Sequence, residues 1–284
     1  ASFTVNTNTV VNITTKLKQY TLTYTANNCS ITVKKGSTTL TSGSTITHFD
    51  TLNISANANY FSNFNSLAVN GSAFTSGNDY IVTSDVVINA SATQITTPGT
   101  LKNGTVKSLA VNSGTTKSGV VISNDGVIKD GATVSDVSVE QNGSILAYVD
   151  SNIVYIVSNQ NIYLPADCTS MFELWTTHWS APDAVISQIK YIRGLNYLNT
   201  SNVTNMSSMF KGLSTLDESL DFSNFDTSKV TNMGSMFYDC HYITELDLNS
   251  FNTSNVTGMY GMFFNCSKLT SLKINNFVTS SVKD

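Results

Sequence analysis

The chain has 284 residues and a formal net charge of -4, and charged residues make up only 12% of it, well below the usual ~25%. Serine, threonine and asparagine together supply 108 residues, whereas arginine occurs once, at Arg193. So few cations argue against a nucleic-acid-binding protein, which must neutralise phosphates. No apolar run approaches the ~18 residues of a membrane span, and a hydrophobic content of 40% argues against a disordered chain.

The first half of the chain has the pattern of short strands. Residues 1–18 alternate short apolar and polar side chains, which predicts an N-terminal arm or docking strand. Residues 19–95 contain β-branched, alternating runs such as YTLTYTA, TLNISANA and DYIVTSDVVINASA, with glycines between them. These runs predict a small antiparallel β-domain. The sequence TTPG at 96–99 then predicts a linker.

Residues 96–165 change character, because short Val and Ile runs are interrupted by SG, NDG, KDG and QNG. Glycine and asparagine adopt the positive φ angles that tight turns need. This Gly-turn β-segment is therefore predicted to be either a set of stacked short strands, as in a β-solenoid, or a set of hairpins.

Residues 166–284 contain an internal repeat. The triplets NTS, DTS, NTS and VTS fall at 199–201, 226–228, 252–254 and 278–280. A spacing of 26 or 27 residues lies in the range of leucine-rich solenoids. One turn of such a repeat cannot bury its apolar face alone, so neighbouring turns must stack. The series ends one residue before the next Met is due, so we expect a C-terminal truncation within the repeats.

The apolar residues that recur with the repeat predict its core. Two sets, three methionines and three phenylalanines, should fill equivalent sites in successive turns: Met206, Met233 and Met259, with Phe210, Phe237 and Phe263. Strand patterns of the form LxL occur at Leu220/Phe222, Leu246/Leu248 and Leu272/Ile274.

Two further sets of recurring residues each have two interpretations. The Thr-Ser pairs that follow Asn199, Asp226 and Asn252 either satisfy backbone groups in turns or present a polar array to a partner. Cys240 and Cys266 occupy equivalent positions. They are predicted to be either two buried free thiols or a disulfide between stacked turns.

The repeat resembles a known family. Residues 243–266, ITELDLNSFNTSNVTGMYGMFFNC, resemble the BspA-type leucine-rich repeat of bacterial surface proteins, and the resemblance covers about residues 199–284. Residues 19–95 resemble the internalin-type B repeat, a β-grasp-like module, through NCSITVKKGSTTLTSGSTI and LAVNGSAFTSGNDYIVTSDVVINASA. Residues 104–146 resemble the Gly-punctuated repeats of autotransporter passenger domains. The resemblances imply extracellular, surface-displayed modules associated with adhesion, and such modules also occur in phage tail and virion fibres.

No catalytic constellation is predicted. Of the histidines, His241 replaces an ordinary loop residue, since Ser214 and Ser267 stand at this position in the neighbouring copies, and no GxSxG nucleophile elbow occurs. Asp217, Glu218 and Asp221 are acidic, but glycosidase chemistry needs two carboxyl groups facing each other across a cleft. We therefore expect a solvated acidic face and a protein that is not an enzyme.

No metal or cofactor site is predicted either. Cysteines without a CxxC pair argue against zinc. Asp125, Asp130 and Asp136 are spaced like loop acids, but no calcium-binding motif accompanies them.

Two surfaces are candidates for recognition. Trp175 and Trp179 flank His178 in LWTTHWSAPD, and they predict either an aromatic platform for sugars or a cap over the first repeat. The second candidate is the outward side of the LxL strands, because strand side chains alternate between faces. The residues predicted to point outward there are Asp221, Ser223, Glu245, Asp247, Asn249, Lys273 and Asn275.

The sequence as a whole predicts a mainly β, modular, non-enzymatic protein for structure or recognition. Two settings are open: a phage fibre-like virion component, or a fragment of a bacterial cell-surface adhesin that binds host protein or glycan. The N-terminal region would contact other virion or surface proteins, and the repeats would contact the host surface. A symmetric homo-oligomer is expected for a fibre. A polysaccharide-degrading enzyme is a third, less favoured interpretation.

Overall fold

The computed structural model describes residues 16–111, 117–173 and 188–284, and these residues form a mainly β structure. Within them, α-helix is confined to Thr105–Val111. The chain divides into two units, residues 1–94 and 95–284. Most of the predicted N-terminal arm, residues 1–15, lies outside the described residues.

Within residues 16–94, the described part of the first unit, nine strands form two sheets. One sheet has the order β4-β1-β9-β6-β7 and the other has the order β3-β2-β5-β8. The strands are β1 Gln19–Asn27, β2 Cys29–Lys35, β3 Thr38–Leu40, β4 Thr45–Thr47, β5 Thr51–Ala58, β6 Ser62–Val69, β7 Ser72–Ala73, β8 Asp79–Ile81 and β9 Val86–Gln94. Alternation buries Leu52 and Ile54 of β5 and Val86 and Ile88 of β9.

The sequence predicts an antiparallel domain, but this unit is not antiparallel throughout. Strands β1 and β9 pair in parallel, with Leu22 opposite Val86. The physical reason is the connection between them, because all of β2–β8 lies between these two neighbours in the sheet. Parallel neighbours require a long crossover of this kind, whereas antiparallel neighbours are joined by short turns.

The second unit begins with the Gly-turn segment. Its strands are β10 Gly99–Thr100, β11 Gly119–Ser123, β12 Ser135–Asp136, β13 Leu146–Asp150, β14 Ile153–Val157 and β15 Ile162–Tyr163. Helix α1, Thr105–Val111, is a feature that the sequence did not predict. Its buried Val106 and half-buried Leu109 both pack on the core. An i, i+3 pair over two turns is too short a pattern to be distinguished from a strand.

The Gly-turn segment and the repeats share one core. The repeats contribute β16 Tyr191–Arg193, β17 Leu198–Asn199, β18 Glu245–Asp247, β19 Ser271–Lys273 and a 3₁₀ helix, Leu195–Tyr197. Strand β11 pairs in parallel with both β14 and β16. Buried side chains continue without interruption from Val120 and Ile156 to the methionines and phenylalanines of the repeats.

Successive copies of the repeat are stacked in register by backbone hydrogen bonds. The amide of Met206 donates to the carbonyl of Asn232 over 2.9 Å, and that of Met233 donates to Gly258 over 2.8 Å. The amide of Phe172 likewise donates to the carbonyl of Met209 over 2.9 Å. The stacking therefore includes residues 166–173, which precede the first clear triplet.

The recurring phenylalanines form a column at the centre of this stack. The rings of Phe172 and Phe210, Phe210 and Phe237, and Phe237 and Phe263 are nearly parallel, with centroids 5.3, 5.6 and 5.9 Å apart. Such offset stacking adds to the energy of burial. Met206 and Met233 are fully buried beside the column, as the sequence predicts.

A column of buried threonines joins the same turns by hydrogen bonds. The Oγ1 of Thr227 donates to the carbonyl of Asn252 over 3.0 Å and accepts from the Asn252 amide over 2.8 Å. Thr200 and Thr253 make the same pair of bonds to Asp226 and Val278. The threonines therefore satisfy buried backbone groups of the next turn, which is the structural interpretation of the Thr-Ser pairs.

Among the described residues, no helix is long and apolar enough to cross a membrane.

Replacement of Phe237 by Ala should lower the free energy of unfolding by about 3–5 kcal/mol, because it leaves a cavity between Phe210 and Phe263. The measurement is urea unfolding followed by circular dichroism. Phe264→Ala is the matched control. Phe264 is 57% exposed and stacks only on Tyr238 among the described aromatic residues, so it should cost less than about 1.5 kcal/mol. Equal losses for the two variants would contradict the column as the centre of the core.

Replacement of Thr227 by Val keeps the shape of the side chain but leaves the buried backbone groups of Asn252 without partners. The expected loss of unfolding free energy is about 1–3 kcal/mol. Thr231→Val is the control, since the exposed Thr231 hydroxyl donates only to the Thr204 carbonyl. It should change stability by less than about 0.5 kcal/mol. A Thr227 variant as stable as the control would show that water replaces the lost bonds.

Candidate functional site

The outward residues of the LxL strands form one candidate surface, the strand face. Six of its seven predicted residues are exposed and Asn249 is half-buried. The leucines between them, Leu246 and Leu248, are buried, whereas the corresponding Leu272 and Ile274 of the last copy are each 36% exposed. Parallel pairing of β18 and β19 places Asp247 directly opposite Lys273. The structure therefore brings the predicted residues onto one face, although their role in binding stays a prediction.

The charged groups of the strand face are paired with one another. The Nζ of Lys273 lies 3.0 Å from Oδ2 of Asp247 and 3.4 Å from Oε1 of Glu245. Hydrogen bonding from Lys273, followed by the backbone amide of Asn249, lowers the pKa of Asp247. The carboxylate of Asp247 therefore stays ionised at neutral pH, and Lys273 balances one of the two negative charges beside it.

Other polar atoms of the strand face fix turns. The Oδ1 of Asp221 accepts from the amide of Ser223 over 3.0 Å, and the Oδ1 of Asn249 accepts from the amide of Asn275 over 3.0 Å. A depression of about 270 Å³ lies on this face between Asp221 and Asp247, above Phe222. Much of the hydrogen-bonding capacity around it is already used by the protein itself.

A larger open groove of about 460 Å³ lies where the repeats meet the Gly-turn segment. We call it the asparagine groove. Its wall consists mainly of neutral polar side chains and one tyrosine. The residues are Asn124, Asn161, Asn196, Tyr197, Asn224 and Asp226, together with 198–201.

The asparagine groove is positioned by parallel strand pairing. Asn124 follows β11, Asn161 precedes β15 and Tyr197 precedes β17. Strands β15 and β17 pair with Ile162 opposite Leu198, which places Asn161 and Tyr197 one step before the paired residues. Residues far apart in the sequence are thus held at one edge of the unit.

A glycine makes the close approach at this edge possible. Gly194 has a φ of 84°, and a Cβ there would lie 1.9 Å from the carbonyl oxygen of Ile122. Any other residue would push the turn away from β11. The 3₁₀ turn that follows buries Leu195 and leaves Tyr197 40% exposed in the groove wall.

The wall of the groove is rigid, but several of its amides are unpaired. The Nδ2 of Asn224 donates to the carbonyl of Asn196 over 2.9 Å, and Thr200 holds the backbone of Asp226. In the described part of the chain, the side chains of Asn124, Asn161 and Asn196 form no hydrogen bond. On the strand face Asn275 is the one such amide among the described residues, whereas the groove brings three of them together.

A family described as "Mycoplasma protein of unknown function, DUF285" matches residues 181–284. This match covers a little over a third of the chain and includes most of the repeat. No curated protein and no solved structure matches the chain.

Glu218, one of the acidic residues considered for catalysis, is held in an ion pair. Arg193 binds Glu218 through two hydrogen bonds, with Nη2 2.6 Å from Oε1 and Nε 3.1 Å from Oε2. These bonds lower the pKa of Glu218, whereas a general acid in a glycosidase needs a raised pKa. The ring nitrogens of His241 contact the carbonyl of Asp239 and the side chain of Asn265.

The loop acids considered for calcium bind their own loops. Asp125 accepts from the hydroxyl of Ser123 and from the amide of Val127, and Asp136 accepts from the amides of Ser138 and Gly143. Among the described residues, no group of three His, Cys, Asp or Glu side chains is arranged to hold a metal ion. The predicted aromatic platform of Trp175 and Trp179 lies outside the described residues.

The asparagine groove is not evident from the sequence alone. A signal was present, because an asparagine follows an apolar run at VVISN, IVSNQN, RGLN and DFSN. Each of these is also an ordinary turn sequence. Their convergence depends on the pairing of β11 with β14 and β16 and of β15 with β17.

The cysteines of the second unit are free thiols. Burial raises the pKa of Cys168 to about 12, and Asp167 adds to the rise. Burial also raises the pKa of Cys240, whose Sγ donates to the carbonyl of Phe210. The structure therefore favours stacked thiols over a disulfide between Cys240 and Cys266.

In the folded protein, Cys168 and Cys240 should resist alkylation by iodoacetamide at about pH 8, because the thiolate is the reactive form and their raised pKa values keep them protonated. Both should react in urea, where the pKa returns to about 8.5. Peptide mass spectrometry reads out each site. A peptide pair joined through Cys240 and Cys266 in a non-reduced digest would contradict the free thiols.

Proposed function

We propose that this protein is a non-enzymatic recognition protein that works on a cell surface or a virion. The observation that supports this most directly is the asparagine groove. Unpaired amides and an exposed tyrosine ring are held there on a rigid, in-register stack. A ligand-binding site of this kind loses little entropy on binding, because its groups are already in place.

The architecture of residues 166–284 supports a leucine-rich-repeat solenoid of the BspA type. The supporting facts are the 26- or 27-residue spacing, the parallel bridges between Asn205, Asn232 and Gly258, and the column of phenylalanines. Solenoids of this kind present extended surfaces for binding. The two sheets formed by residues 19–94 in turn support a β-grasp-like module of the internalin B-repeat type.

Two settings follow from this proposal. In one, the chain is a fibre-like virion component, assembled through its N-terminal region into a homo-oligomer. In the other, it is a fragment of a bacterial surface adhesin. The description of the matching family names Mycoplasma, and this supports the bacterial setting.

An enzyme that degrades polysaccharides is the less favoured alternative. Its catalytic pair would have to come from acids such as Asp217, Glu218 and Asp221. Glu218 is held by Arg193, and a hydrogen bond from Ser223 lowers the pKa of Asp221. Neither environment raises a carboxyl pKa toward neutrality, as a general acid requires.

The test is fractionation of the source culture. Lysate is separated on a density gradient, and each fraction is analysed for peptides of this chain by mass spectrometry. We expect the chain either with DNA-filled particles or with the cell envelope, and intact cells should lose it on treatment with external protease in the second case. A cytoplasmic enzyme of the same organism serves as the marker for lysis.

The two supporting outcomes separate the settings, since particles indicate a virion and the envelope indicates an adhesin. Recovery with the cytoplasmic marker, with no peptide lost to external protease, would overturn surface display in either setting.

A further inference from the structure

We propose that the asparagine groove is a binding site for a neutral oligosaccharide. This inference rests on the proposed recognition function and names the class of ligand for one site. Its basis is the juxtaposition of the unpaired amides of Asn124, Asn161 and Asn196 with the exposed ring of Tyr197 in a groove of about 460 Å³.

The size of the groove fits a small ligand. Ligand sites in proteins enclose roughly 300–1,000 Å³, and most of them are lined by apolar side chains. This groove has the volume but not the apolar lining, because most of its described wall is amide, hydroxyl and carboxylate. A polar wall of this kind fits a ligand that is itself covered with hydrogen-bonding groups.

The chemistry of asparagine matches sugar hydroxyl groups. Each amide offers two donors on nitrogen and an acceptor on oxygen, and a sugar hydroxyl both donates and accepts. The ring of Tyr197 adds a flat face on which the C–H side of a pyranose can pack. The amides can therefore bind the hydroxyl groups at the rim of a sugar ring while the tyrosine contacts its apolar face.

The charge of the groove favours a neutral sugar over an acidic one. Asp226 is the charged residue in its described wall, and neither Lys nor Arg is among the described lining residues. Hydrogen bonds from the hydroxyl and the amide of Ser228 lower the pKa of Asp226, so its carboxylate is ionised at neutral pH. Lys229 lies near enough to add a smaller lowering of the Asp226 pKa, but it is not among the lining residues, and the carboxylate in the wall would repel a sialylated or sulfated glycan.

The groove is also prepared for a ligand. The carbonyl of Asn196 is held by Asn224, the backbone of Asp226 is held by Thr200, and Gly194 fixes the turn that carries Tyr197. The ligand therefore need not order this part of the wall. The strand face lacks this combination, because its charges and turn-capping groups are paired within the protein.

The experiment uses the full chain on a printed array of neutral oligosaccharides, acidic glycans and extended peptides. The neutral set contains glucans, mannans, galactans and N-acetylhexosamine oligomers. The affinity for the strongest neutral oligosaccharide is then measured by isothermal titration calorimetry. Four variants are compared with the unmodified chain: Tyr197→Ala, Tyr197→Phe, Asn124→Ala and Tyr242→Ala.

We expect Tyr197→Ala to weaken binding about tenfold and Asn124→Ala to weaken it about fivefold, because a lost contact of this size corresponds to such factors. Tyr197→Phe keeps the ring and should stay within about twofold. Tyr242→Ala removes another exposed tyrosine, which packs under Lys268 outside the groove, and should leave the affinity unchanged. Thermal unfolding midpoints check that all variants fold.

Three outcomes would overturn the inference: no binding to any neutral oligosaccharide, neutral binding that the Tyr197 and Asn124 variants do not weaken, or preferred binding of acidic glycans or peptides. Each of them leaves surface display intact if fractionation still places the chain on particles or the envelope. If fractionation instead recovers the chain with the cytoplasm, the proposed function fails, whatever the array shows.

Discussion

The in-register stacking of copies 26 or 27 residues apart is the constraint on which the second unit depends. One copy alone cannot bury Met233 or Phe237, so each copy is completed by the next. Backbone hydrogen bonds such as those from Met206 to Asn232 fix the spacing. Once the spacing is fixed, a residue in one copy lies directly over its equivalent. A side chain that stabilises the contact between two copies therefore does so at every turn.

This constraint explains both the apolar and the polar repeats. The phenylalanines stack because equivalent positions coincide, with centroids 5.3–5.9 Å apart. The threonines recur because each turn buries a backbone amide and carbonyl that no helix or sheet ladder satisfies. A threonine hydroxyl that donates to this carbonyl and accepts from this amide removes the free-energy cost of leaving each of them without a partner. The richness in threonine therefore follows partly from the architecture, not from composition alone.

The extent to which the sequence predicts this structure depends on the distance between interacting residues. The positions of Phe210 and Phe237 in the core were predictable, because a period can be seen along the chain. The parallel pairing of β1 with β9 and of β11 with β16 was not, since each joins segments about 60 or more residues apart without a repeat. The asparagine groove depends on the non-local pairings of β11 with β16 and of β15 with β17, so its turn sequences alone do not predict it.

Two polar surfaces of similar composition therefore differ in what they leave available. On the strand face, Asp247 and Lys273 neutralise each other and Asn249 holds the next turn, so the repeat itself uses these groups. At the asparagine groove, the loop after β11 and the residue before β15 lie beside the repeats, and the side chains of Asn124 and Asn161 form no hydrogen bond in the described part of the chain. The polar groups that hold the next turn are used by the repeat itself, whereas these amides are available to a ligand. Recognition is therefore physically easier to build at the edge that the repeats share with the Gly-turn segment.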